Sequence, residues 1–366
     1  MPHSTDETTS ENHCRPVVSD STVVSVQAPS RLHFGLWSLT AGEPGAFGGA
    51  GTMIDRPGLL LEARFATRPG ELTAHGPLAQ RALSFARYLR QRAATGASFR
   101  GVKGDARGAD IEIRRAGPGH GGLGSGTQLA LAVGVALEEL WGWQSGDESN
   151  VAAPRPVAVE QAVSLAMRLG RARRSSVGAY GFALGGTIID GGHHTPDSER
   201  DIGALDAHIP TPDDWRVLLV TVRGQKGLHG STEVEAFRRA PPIPTATTDR
   251  LMRLARQEIV PAVRRADFEA FAQAVYEYGR VAGECFSFAQ KGPYAGPEIT
   301  AVIEQLRRQG AVGVGQSSWG PTVFAFFPSP DTATQAVADF PAPFADRCDL
   351  LIARPSNEGA RVTVCE

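Results

Sequence analysis

Apolar residues recur along the chain with two spacings, one typical of strands and the other typical of helices. Short runs of β-branched or alternating apolar residues predict strands, and apolar residues three or four positions apart predict helices. The predicted strands are 22–27, 32–39, 59–66, 111–115, 178–190, 215–222, 312–315, 323–327, 350–353 and 362–364. The predicted helices are 78–92, the segment that follows the 116–128 loop to about 143, 154–169, 247–263, 268–288, 297–308 and 332–339. This alternation, with antiparallel returns, predicts an α+β fold with helices packed on one sheet.

Two stretches lack an apolar period. Residues 1–21 are polar and predict a disordered tail, whereas 190–215 are rich in His, Asp, Pro and Gly and predict a connection between two domains. A chain of 366 residues is long enough for two domains and a sizeable core. We therefore divide it into the tail 1–21, an N-terminal phosphate-binding domain 22–205 and a C-terminal domain 206–366.

Glycine and other small residues dominate the loop between the strand 111–115 and the following apolar helix. Residues 116–128 read AGPGHGGLGSGTQ. Backbone without Cβ atoms wraps closely round an anion, and the N-terminus of a helix offers it free N–H groups and a positive dipole end. The alternative is a tight strand-to-helix turn, but such a turn needs fewer small residues. The loop therefore predicts a phosphate site.

Two better-known phosphate loops do not fit this sequence. A Walker loop carries a lysine before its Ser or Thr, and no side-chain cation lies in 116–128. Gly117, Gly119 and Gly122 match G-x-G-x-x-G, but the dinucleotide motif also needs an acidic residue at the end of a second strand. The acids at that distance, Glu138 and Glu139, lie on the predicted helix itself.

Composition narrows the class of partner. The net charge of −2 and the pI near 6.5 argue against nucleic-acid or membrane-surface binding driven by bulk charge. The four cysteines form no C-x-x-C pair, no apolar run reaches membrane-spanning length, and no secretion signal is recognisable, so we expect a cytoplasmic protein. Only three of the 37 basic residues are lysines, and two of these, Lys226 and Lys291, lie in glycine-flanked loops. Such a loop cation either reaches a ligand or stays solvated.

Three ordered stretches carry a family resemblance: APSRLHFGLW from residue 28, the loop containing GLGSGTQ, and VGVGQSSWGPT from residue 312. Together they resemble the three motifs of the GHMP kinase superfamily of small-molecule kinases. The resemblance implies a two-domain GHMP kinase-like fold, in which an N-terminal domain related to ribosomal protein S5 domain 2 and a C-terminal ferredoxin-like domain hold the ligand between them.

The sequence departs from the kinase motifs at two places. Kinases of the superfamily usually carry GLGSSA, whereas Gly126 and Thr127 replace the second serine and the alanine here. Many also carry a catalytic aspartate in a segment that corresponds to 174–179, which contains no acid. Phosphoryl transfer would therefore lack an expected group. ATP-dependent kinase activity and non-catalytic binding of a phosphorylated metabolite stay open as alternatives.

These departures, with GRARRSS from residue 170 and LGGTIIDGG from residue 184, resemble the β-ribofuranosylaminobenzene 5′-phosphate synthases, a branch of the superfamily. The resemblance implies a pentosyltransferase of methanopterin biosynthesis. It would join phosphoribosyl pyrophosphate to 4-aminobenzoate or 4-hydroxybenzoate, with release of pyrophosphate and carbon dioxide. No organic cofactor is implied, while a Mg²⁺ requirement and a homodimer stay open. The expected partners are small molecules, with neither nucleic acid nor membrane among them.

Loss of pyrophosphate leaves an electron-poor ribosyl centre, so the site must bind anions and align two substrates rather than supply a nucleophile. Arg31, His33, Asp190 and Lys226 are the candidate catalytic residues, although His33 could be structural and Asp190 could cap a turn. Arg171 extends the expected arginine cluster. The candidate substrate- and phosphate-binding residues are Gly119, Gly121, Gly122, Leu123, Gly124, Ser125, Gly126, Thr127, Gln128, Arg173, Arg174, Gln316, Ser317 and Ser318.

Overall fold

The computed structural model describes residues 22–39, 45–94, 108–142, 153–193, 202–225, 227, 230–290 and 292–365. The strands are β1 (Val23–Leu36), β2 (Gly49–Phe65), β3 (Leu72–His75), β4 (Ala109–Arg115), β5 (Arg155–Pro156), β6 (Thr187–Asp190), β7 (Leu205–Ile209), β8 (Arg216–Val222), β9 (Val314–Gln316), β10 (Thr322–Phe327), β11 (Cys348–Ala353) and β12 (Arg361–Cys365). The helices are α1 (Ala79–Ala94), α2 (Ser125–Gly142), α3 (Val159–Arg168), α4 (Val177–Leu184), α5 (Gly230–Arg239), α6 (Thr245–Arg253), α7 (Val260–Arg264), α8 (Phe268–Glu284), α9 (Ser287–Gln290), α10 (Pro297–Arg308), α11 (Pro330–Ala338) and α12 (Ala342–Ala345). A π-helical segment, Leu254–Ile259, joins α6 to α7.

The strands form two sheets, whereas the alternation of elements taken alone indicated one. The first runs β3-β4-β2-β1-β12-β5, with β6 paired to β2 and β7 paired to β6. The second is antiparallel in the order β11-β8-β10-β9. Because β12 comes from the end of the chain and pairs with β1, the chain returns to the first sheet after completing the second. The domain boundary at 205/206 stays a prediction. Strand β12 falls in the predicted C-terminal domain but pairs in the first sheet.

The long strand β1 changes register twice against β2, near Pro29 and near Gly35. Proline has no N–H to give to the ladder, so a bulge is expected where it interrupts a strand. Arg31 follows the first irregularity and His33 precedes the second. These bulges therefore set the direction in which the two polar side chains leave the strand.

Helix α2 is apolar on almost every side, and most of its residues are buried. It packs against β1 and β2 and against helices α1, α3 and α4. Leu129, Val133 and Leu137 belong to the hydrophobic core that covers one face of the first sheet. A helix buried on all sides is fixed in position, so its N-terminus is held rigidly at the glycine loop.

A second core joins the two sheets. It contains Leu32 and Phe34 from β1, Phe324 and Phe326 from β10, and Tyr278 from α8. Tyr278 also donates a hydrogen bond from its hydroxyl to the carbonyl of Gly35, at 3.1 Å. A third core packs α10 and α11 on the other face of the second sheet. The second core thus fixes the N-terminal strand β1 against α8.

Most predicted elements are present, but several predictions were wrong. The strand predicted at 178–190 is helix α4 followed by the short strand β6, because an apolar run that is buried on all sides has no period to distinguish a helix from a strand. The connection predicted at 190–215 contains β7, and the helix predicted at 154–169 begins at residue 159. Elements β3, β5, α5 and α12 were not predicted. The tail 1–21 lies outside the described residues.

No helix in the described part of the chain combines the length and the apolarity needed to cross a membrane.

Candidate active site

The three sequence motifs meet at the glycine loop through backbone and serine hydrogen bonds. The N–H of Arg31 donates to the carbonyl of Leu123 at 3.0 Å. The N–H of His33 donates to Ser317 Oγ at 3.1 Å, and that hydroxyl donates to the carbonyl of Gly122 at 2.9 Å. The Leu123 side chain is buried in the second core. The loop backbone is thus hydrogen-bonded to β1 and to Ser317 in the turn after β9.

The loop follows a path that only glycine tolerates at two positions. Gly122 and Gly124 have positive φ angles of 84° and 72°. A Cβ atom on Gly122 would lie 2.1 Å from the Ser317 carbonyl oxygen, and one on Gly124 would lie 3.0 Å from Arg31 Cβ. Among the described residues, the N–H groups of 124–126 have no hydrogen-bond acceptor. The loop therefore presents free donors at the start of α2, as expected of an anion site.

A cavity of about 460 Å³ opens above this loop. Its walls come from both parts of the chain: β1, the glycine loop and the 170–175 segment on one side, and α5, α8, α9 and the turn after β9 on the other. A volume of this size is typical of a small-molecule site. The cavity lies between the two sheets, where the family resemblance places the ligand.

Arginine guanidinium groups line the loop side of the cavity. Arg31, Arg81, Arg171 and Arg174 are half-buried there, and Arg173 lies exposed at the edge. Burial, with the repulsion of neighbouring arginines, lowers the pKa of Arg31 and of Arg171 to about 10. In the described structure the Nε atoms of these two residues are buried without a hydrogen-bond partner. Unpaired buried cations are costly, so the cluster is suited to a ligand with several negative charges.

Among the described residues of the cavity wall, Glu233 on α5 is the only one with an acidic side chain. Its carboxylate pairs with Arg174 at 3.0 Å, and its charge raises the pKa of Arg31, Arg81 and Arg171 against the effect of burial. One carboxylate faces four half-buried arginines. The cavity therefore keeps a net positive charge.

His33 lines the cavity beside the arginines and is neutral. Its Nε2 lies 3.0 Å from Ser175 Oγ. Burial, followed by the charge of Arg31, lowers the pKa of His33 well below its usual value. A neutral imidazole next to a hydroxyl can exchange a hydrogen bond with a substrate without adding another positive charge.

Asp190 lies behind the cavity wall rather than on it. Its carboxylate accepts hydrogen bonds from the N–H groups of Ser176 at 2.5 Å and Gly192 at 3.0 Å. Burial raises its pKa to about 7, although these hydrogen bonds oppose the shift. Asp190 thus holds the backbone at the start of α4 and the turn after β6, as the turn-capping alternative predicts, and it does not line the cavity.

Aromatic rings form the opposite wall. Phe237 of α5, Phe286 and Trp319 pack edge to face, with ring centroids 4.5 to 5.7 Å apart. Arg174 stacks over Phe237 with its guanidinium carbon 4.2 Å from the ring centroid. The arginine cluster and the aromatic wall thus meet at Arg174, which offers adjoining places for an anion and for a flat apolar ring.

The structure brings together many, but not all, of the predicted site residues. The predicted residues on the cavity wall are Arg31, His33, Gly122, Gly124, Ser125, Gly126, Thr127, Arg173, Arg174, Gln316 and Ser318. Those that support the wall from outside it are Gly119, Gly121, Leu123, Gln128, Asp190 and Ser317. Gln128 is an example, because its side-chain amide donates to the Gly178 carbonyl at 2.9 Å and ties α2 to α4. Lys226 lies outside the described residues.

Sequence reasoning missed Arg81, Glu233, Phe237, Phe286 and Tyr294, all of which line the cavity. Arg81 and Glu233 belong to helices whose charged residues look like ordinary solvated positions. No motif marks them, and only their packing against the loop reveals them.

Within the described residues, no group of three or more His, Cys, Asp or Glu side chains is arranged to hold a metal ion. Mg²⁺ prefers carboxylate and phosphate oxygens, and Glu233 is already paired with an arginine. The described wall is therefore a poor protein site for Mg²⁺.

Comparison with known families agrees with this architecture. Residues 80–186 match the model described as the GHMP kinases N terminal domain, and 259–346 match the GHMP kinases C terminal model. The chain belongs to the GHMP kinase family. The two matched segments contain α2 with its glycine loop and the helices α8 and α10. The predicted GHMP kinase-like α+β fold is confirmed.

Curated relatives within the GHMP kinase family are similar over most of their length. A β-ribofuranosylphenol 5′-phosphate synthase of Methanothermobacter thermautotrophicus is 28% identical over 332 residues, covering 87% of this chain and 93% of the relative. One of the same name from Archaeoglobus fulgidus is 26% identical and covers 93% of this chain and all of the relative. The resemblance to this branch, seen first in the motifs, is confirmed.

Solved structures of GHMP kinase-family proteins share the fold at low identity. A homoserine kinase from Cytophaga hutchinsonii superposes with a TM-score of 0.61 at 16% identity, covering 94% of this chain and 98% of that one. A mevalonate pyrophosphate decarboxylase from Streptococcus pyogenes has a TM-score of 0.61 at 12% identity, covering 93% and 99%. At such identities the likeness concerns the fold alone.

Proposed function

We propose that the protein is a pentosyltransferase that joins phosphoribosyl pyrophosphate to a 4-substituted benzoate, with loss of pyrophosphate and carbon dioxide. The observation that carries the proposal is the adjacency of the arginine cluster and the aromatic wall in one cavity. Phosphoribosyl pyrophosphate is highly anionic, and a benzoate is a flat ring with one carboxylate. The cavity offers matched chemistry for both.

The names of the curated relatives guide the choice of acceptor. Their product is a ribofuranosylphenol, which carries a hydroxyl group on the ring. We therefore propose 4-hydroxybenzoate as the first acceptor to test, with 4-aminobenzoate as the second. The product would be a β-ribofuranosylbenzene 5′-phosphate of methanopterin biosynthesis.

The residues support a reaction without an enzyme nucleophile. The bond between ribosyl C1 and the pyrophosphate oxygen breaks, and the ring carbon that bears the carboxylate forms a bond to C1. The carboxylate then leaves as carbon dioxide, and the electrons of its bond restore the aromatic ring. The para substituent donates electrons during the attack. Positively charged Arg31 and Arg171 would stabilise the leaving pyrophosphate, which carries the negative charge that develops.

The aromatic wall would align the acceptor. Phe286 and Trp319 would offer an apolar surface to the acceptor ring, and Arg174, which stacks over Phe237, would pair with the benzoate carboxylate or with a phosphate. His33 is neutral and adds no competing charge next to the ribosyl centre. Any Mg²⁺ would enter with the pyrophosphate rather than on a protein site. Both substrates are charged metabolites, so the proposal places the enzyme in the cytoplasm.

The test is to incubate the pure protein with phosphoribosyl pyrophosphate and carboxyl-labelled 4-hydroxybenzoate or 4-aminobenzoate. We expect labelled carbon dioxide and pyrophosphate in equal amounts, and only when both substrates are present. Turnover of ATP on a small alcohol, without labelled carbon dioxide from either benzoate, would favour a kinase. Tight phosphate-ligand binding with no turnover at all would favour a regulator.

A further inference from the structure

Arg81 is a cavity residue that the proposed reaction does not yet explain. It lies in the first turn of α1, far in sequence from the glycine loop and outside all three motifs. Nevertheless its guanidinium group reaches the start of α2. A Cβ atom built on Gly126 would lie 2.5 Å from Arg81 Nη2 and 3.3 Å from Arg171 Nη2. Two arginine tips therefore converge on Gly126, a glycine in the first turn of α2.

This arrangement is unfavourable unless an anion completes it. Burial lowers the pKa of Arg81, and the charge of Arg81 in turn helps to lower the pKa of Arg171. Among the described residues, no hydrogen bond or ion pair holds the Arg81 guanidinium. Two like charges held close together repel each other. The charge of Glu233 offsets part of this repulsion, but its carboxylate is paired with Arg174, and Arg171 Nη2 donates to the neutral hydroxyl of Thr127 at 3.3 Å.

The position of the two tips identifies the kind of anion. They lie over Gly126, beside the free N–H groups of 124–126 at the N-terminus of α2. A phosphate group there would bridge both arginines and accept the backbone donors. Arg31 lies nearby, against Gly124, and provides a second anchor for a neighbouring phosphate.

We propose that Arg81 and Arg171 together bind one phosphate of a diphosphate group, and that Gly126 is required because any side chain would displace Arg81. Arg81 is then a specificity residue that favours a diphosphate over a monophosphate. In the reaction it would hold the leaving pyrophosphate, so this role rests on the proposed function, whereas the binding itself can be tested separately.

The binding test is calorimetry with inorganic diphosphate and, separately, ribose 5-phosphate. Arg81→Gln should weaken diphosphate binding about tenfold or more, as expected for the loss of hydrogen bonds to a charged group, and change ribose 5-phosphate binding less than about twofold. Arg87→Gln removes an exposed arginine from the same helix and should bind both probes as the wild type does. Wild-type diphosphate affinity in Arg81→Gln, or no diphosphate binding by the wild type, would overturn the proposal.

Gly126→Ala gives an independent test. The added methyl meets the flexible end of Arg81 rather than backbone, so the protein should fold, and circular dichroism checks this. We expect Gly126→Ala to lose nearly as much diphosphate affinity as Arg81→Gln, and the double variant to lose no more than Arg81→Gln alone. If the losses of diphosphate affinity were additive in the double variant, Gly126 would not act through Arg81. That result would refute the claim that Gly126 is required to leave room for Arg81.

Kinetics separate this inference from the proposed reaction. In the carbon dioxide assay, Arg81→Gln should raise the KM for phosphoribosyl pyrophosphate while the KM for the benzoate stays unchanged. If labelled carbon dioxide forms but Arg81→Gln leaves the KM for phosphoribosyl pyrophosphate unchanged, the role proposed for Arg81 is wrong and the proposed reaction stands. If diphosphate binding depends on Arg81 but no carbon dioxide forms, the binding role stands and the reaction is wrong.

Discussion

At the residue scale, the position of Arg31 depends on two glycines. Its side chain passes Gly124, where a Cβ atom would lie 3.4 Å from Arg31 Nε, and Gly178, where one would lie 3.6 Å from Nη1. Gly178 falls in the segment where the motif comparison finds no acid. An acid at position 178 would form an ion pair with Arg31, and Arg31 would then not be available to a ligand. The absence of an acid in this segment therefore leaves the Arg31 guanidinium available to bind an anion.

We expect Gly178→Asp to weaken diphosphate binding about tenfold or more, because the new carboxylate would neutralise Arg31 and repel the ligand. Position 178 lies in the first turn of α4, where an acidic residue suits the helix dipole, so the fold should persist. Calorimetry with diphosphate measures the change. Gly178→Ala is the control, since its methyl makes only ordinary contacts and should bind like the wild type. Equal affinity of the two variants would contradict this account of Arg31.

The residue scale also shows how far sequence reasoning reaches. Arg31, Gly124 and Ser318 lie in motifs, and the structure puts all three on the cavity wall. Arg81 and Glu233 could not be found, because their role depends on how α1 and α5 pack against α2. Gln128 and Ser317 were assigned to the ligand, yet the Gln128 side-chain N–H ties α2 to α4 and the Ser317 hydroxyl holds the loop. A motif identifies the loop, but it does not distinguish the residues that line the cavity from the residues that hold the loop in place.

At the element scale, α4 and β6 form a support for the arginine segment. Asp190 at the end of β6 accepts the Ser176 N–H at the start of α4, and His193 Nε2 lies 3.0 Å from the Arg174 carbonyl. The sequence predicted one strand here, because α4 is apolar on all sides and β6 has only four residues. The glycines between them, Gly185 and Gly186, have positive φ angles and allow the reversal. The boundary between α4 and β6 is set by the pairing of β6 with β2, which the local sequence does not show.

The pKa of Asp190 predicts a pH dependence of stability. Burial raises this pKa to about 7, so the folded protein binds the proton more tightly than the unfolded chain does. The stabilisation is fully present below about pH 4 and is lost as the pH rises through about 7, with a slope of at most about 1.4 kcal/mol per pH unit. Asp190→Asn should remove this contribution and leave the opposite one of His33, whose lowered pKa makes stability rise with pH. It should also destabilise the protein by about 1–3 kcal/mol, because an amide can accept only one of the two N–H groups.

Urea unfolding of both proteins between pH 5 and pH 8, about two units below and one above the titration, measures the difference. Asp214→Asn removes an exposed carboxylate and serves as the matched control, with the wild-type slope expected. Identical pH profiles for the wild type and Asp190→Asn would contradict the assignment of the proton to Asp190.

At the scale of the whole molecule, the cavity depends on the contact between the two sheets. The second core takes residues from β1 and β2 as well as from β8, β10 and α8. The C-terminal strand β12 adds Val362 and Val364 to the first core. The sequence predicted two domains in series, because a pattern of helices and strands does not show which distant segments share a core. The shared core predicts that the chain unfolds in one cooperative transition rather than in two.

Gly35 is a point of close approach in this contact and tests it. Its φ angle is 142°, and a Cβ atom there would lie 2.4 Å from Ala282 Cβ on α8. Gly35→Ala should lower the free energy of unfolding by roughly 2–4 kcal/mol through overpacking and backbone strain. Ala282→Gly should cost about 1 kcal/mol alone but restore part of the loss in the double variant, because it removes the clash and leaves the strain. Circular dichroism and tryptophan fluorescence should trace one coincident transition in every variant. Two separated transitions in the wild type, or no recovery in the double variant, would mean that β1 and α8 do not hold the two sheets together as one unit.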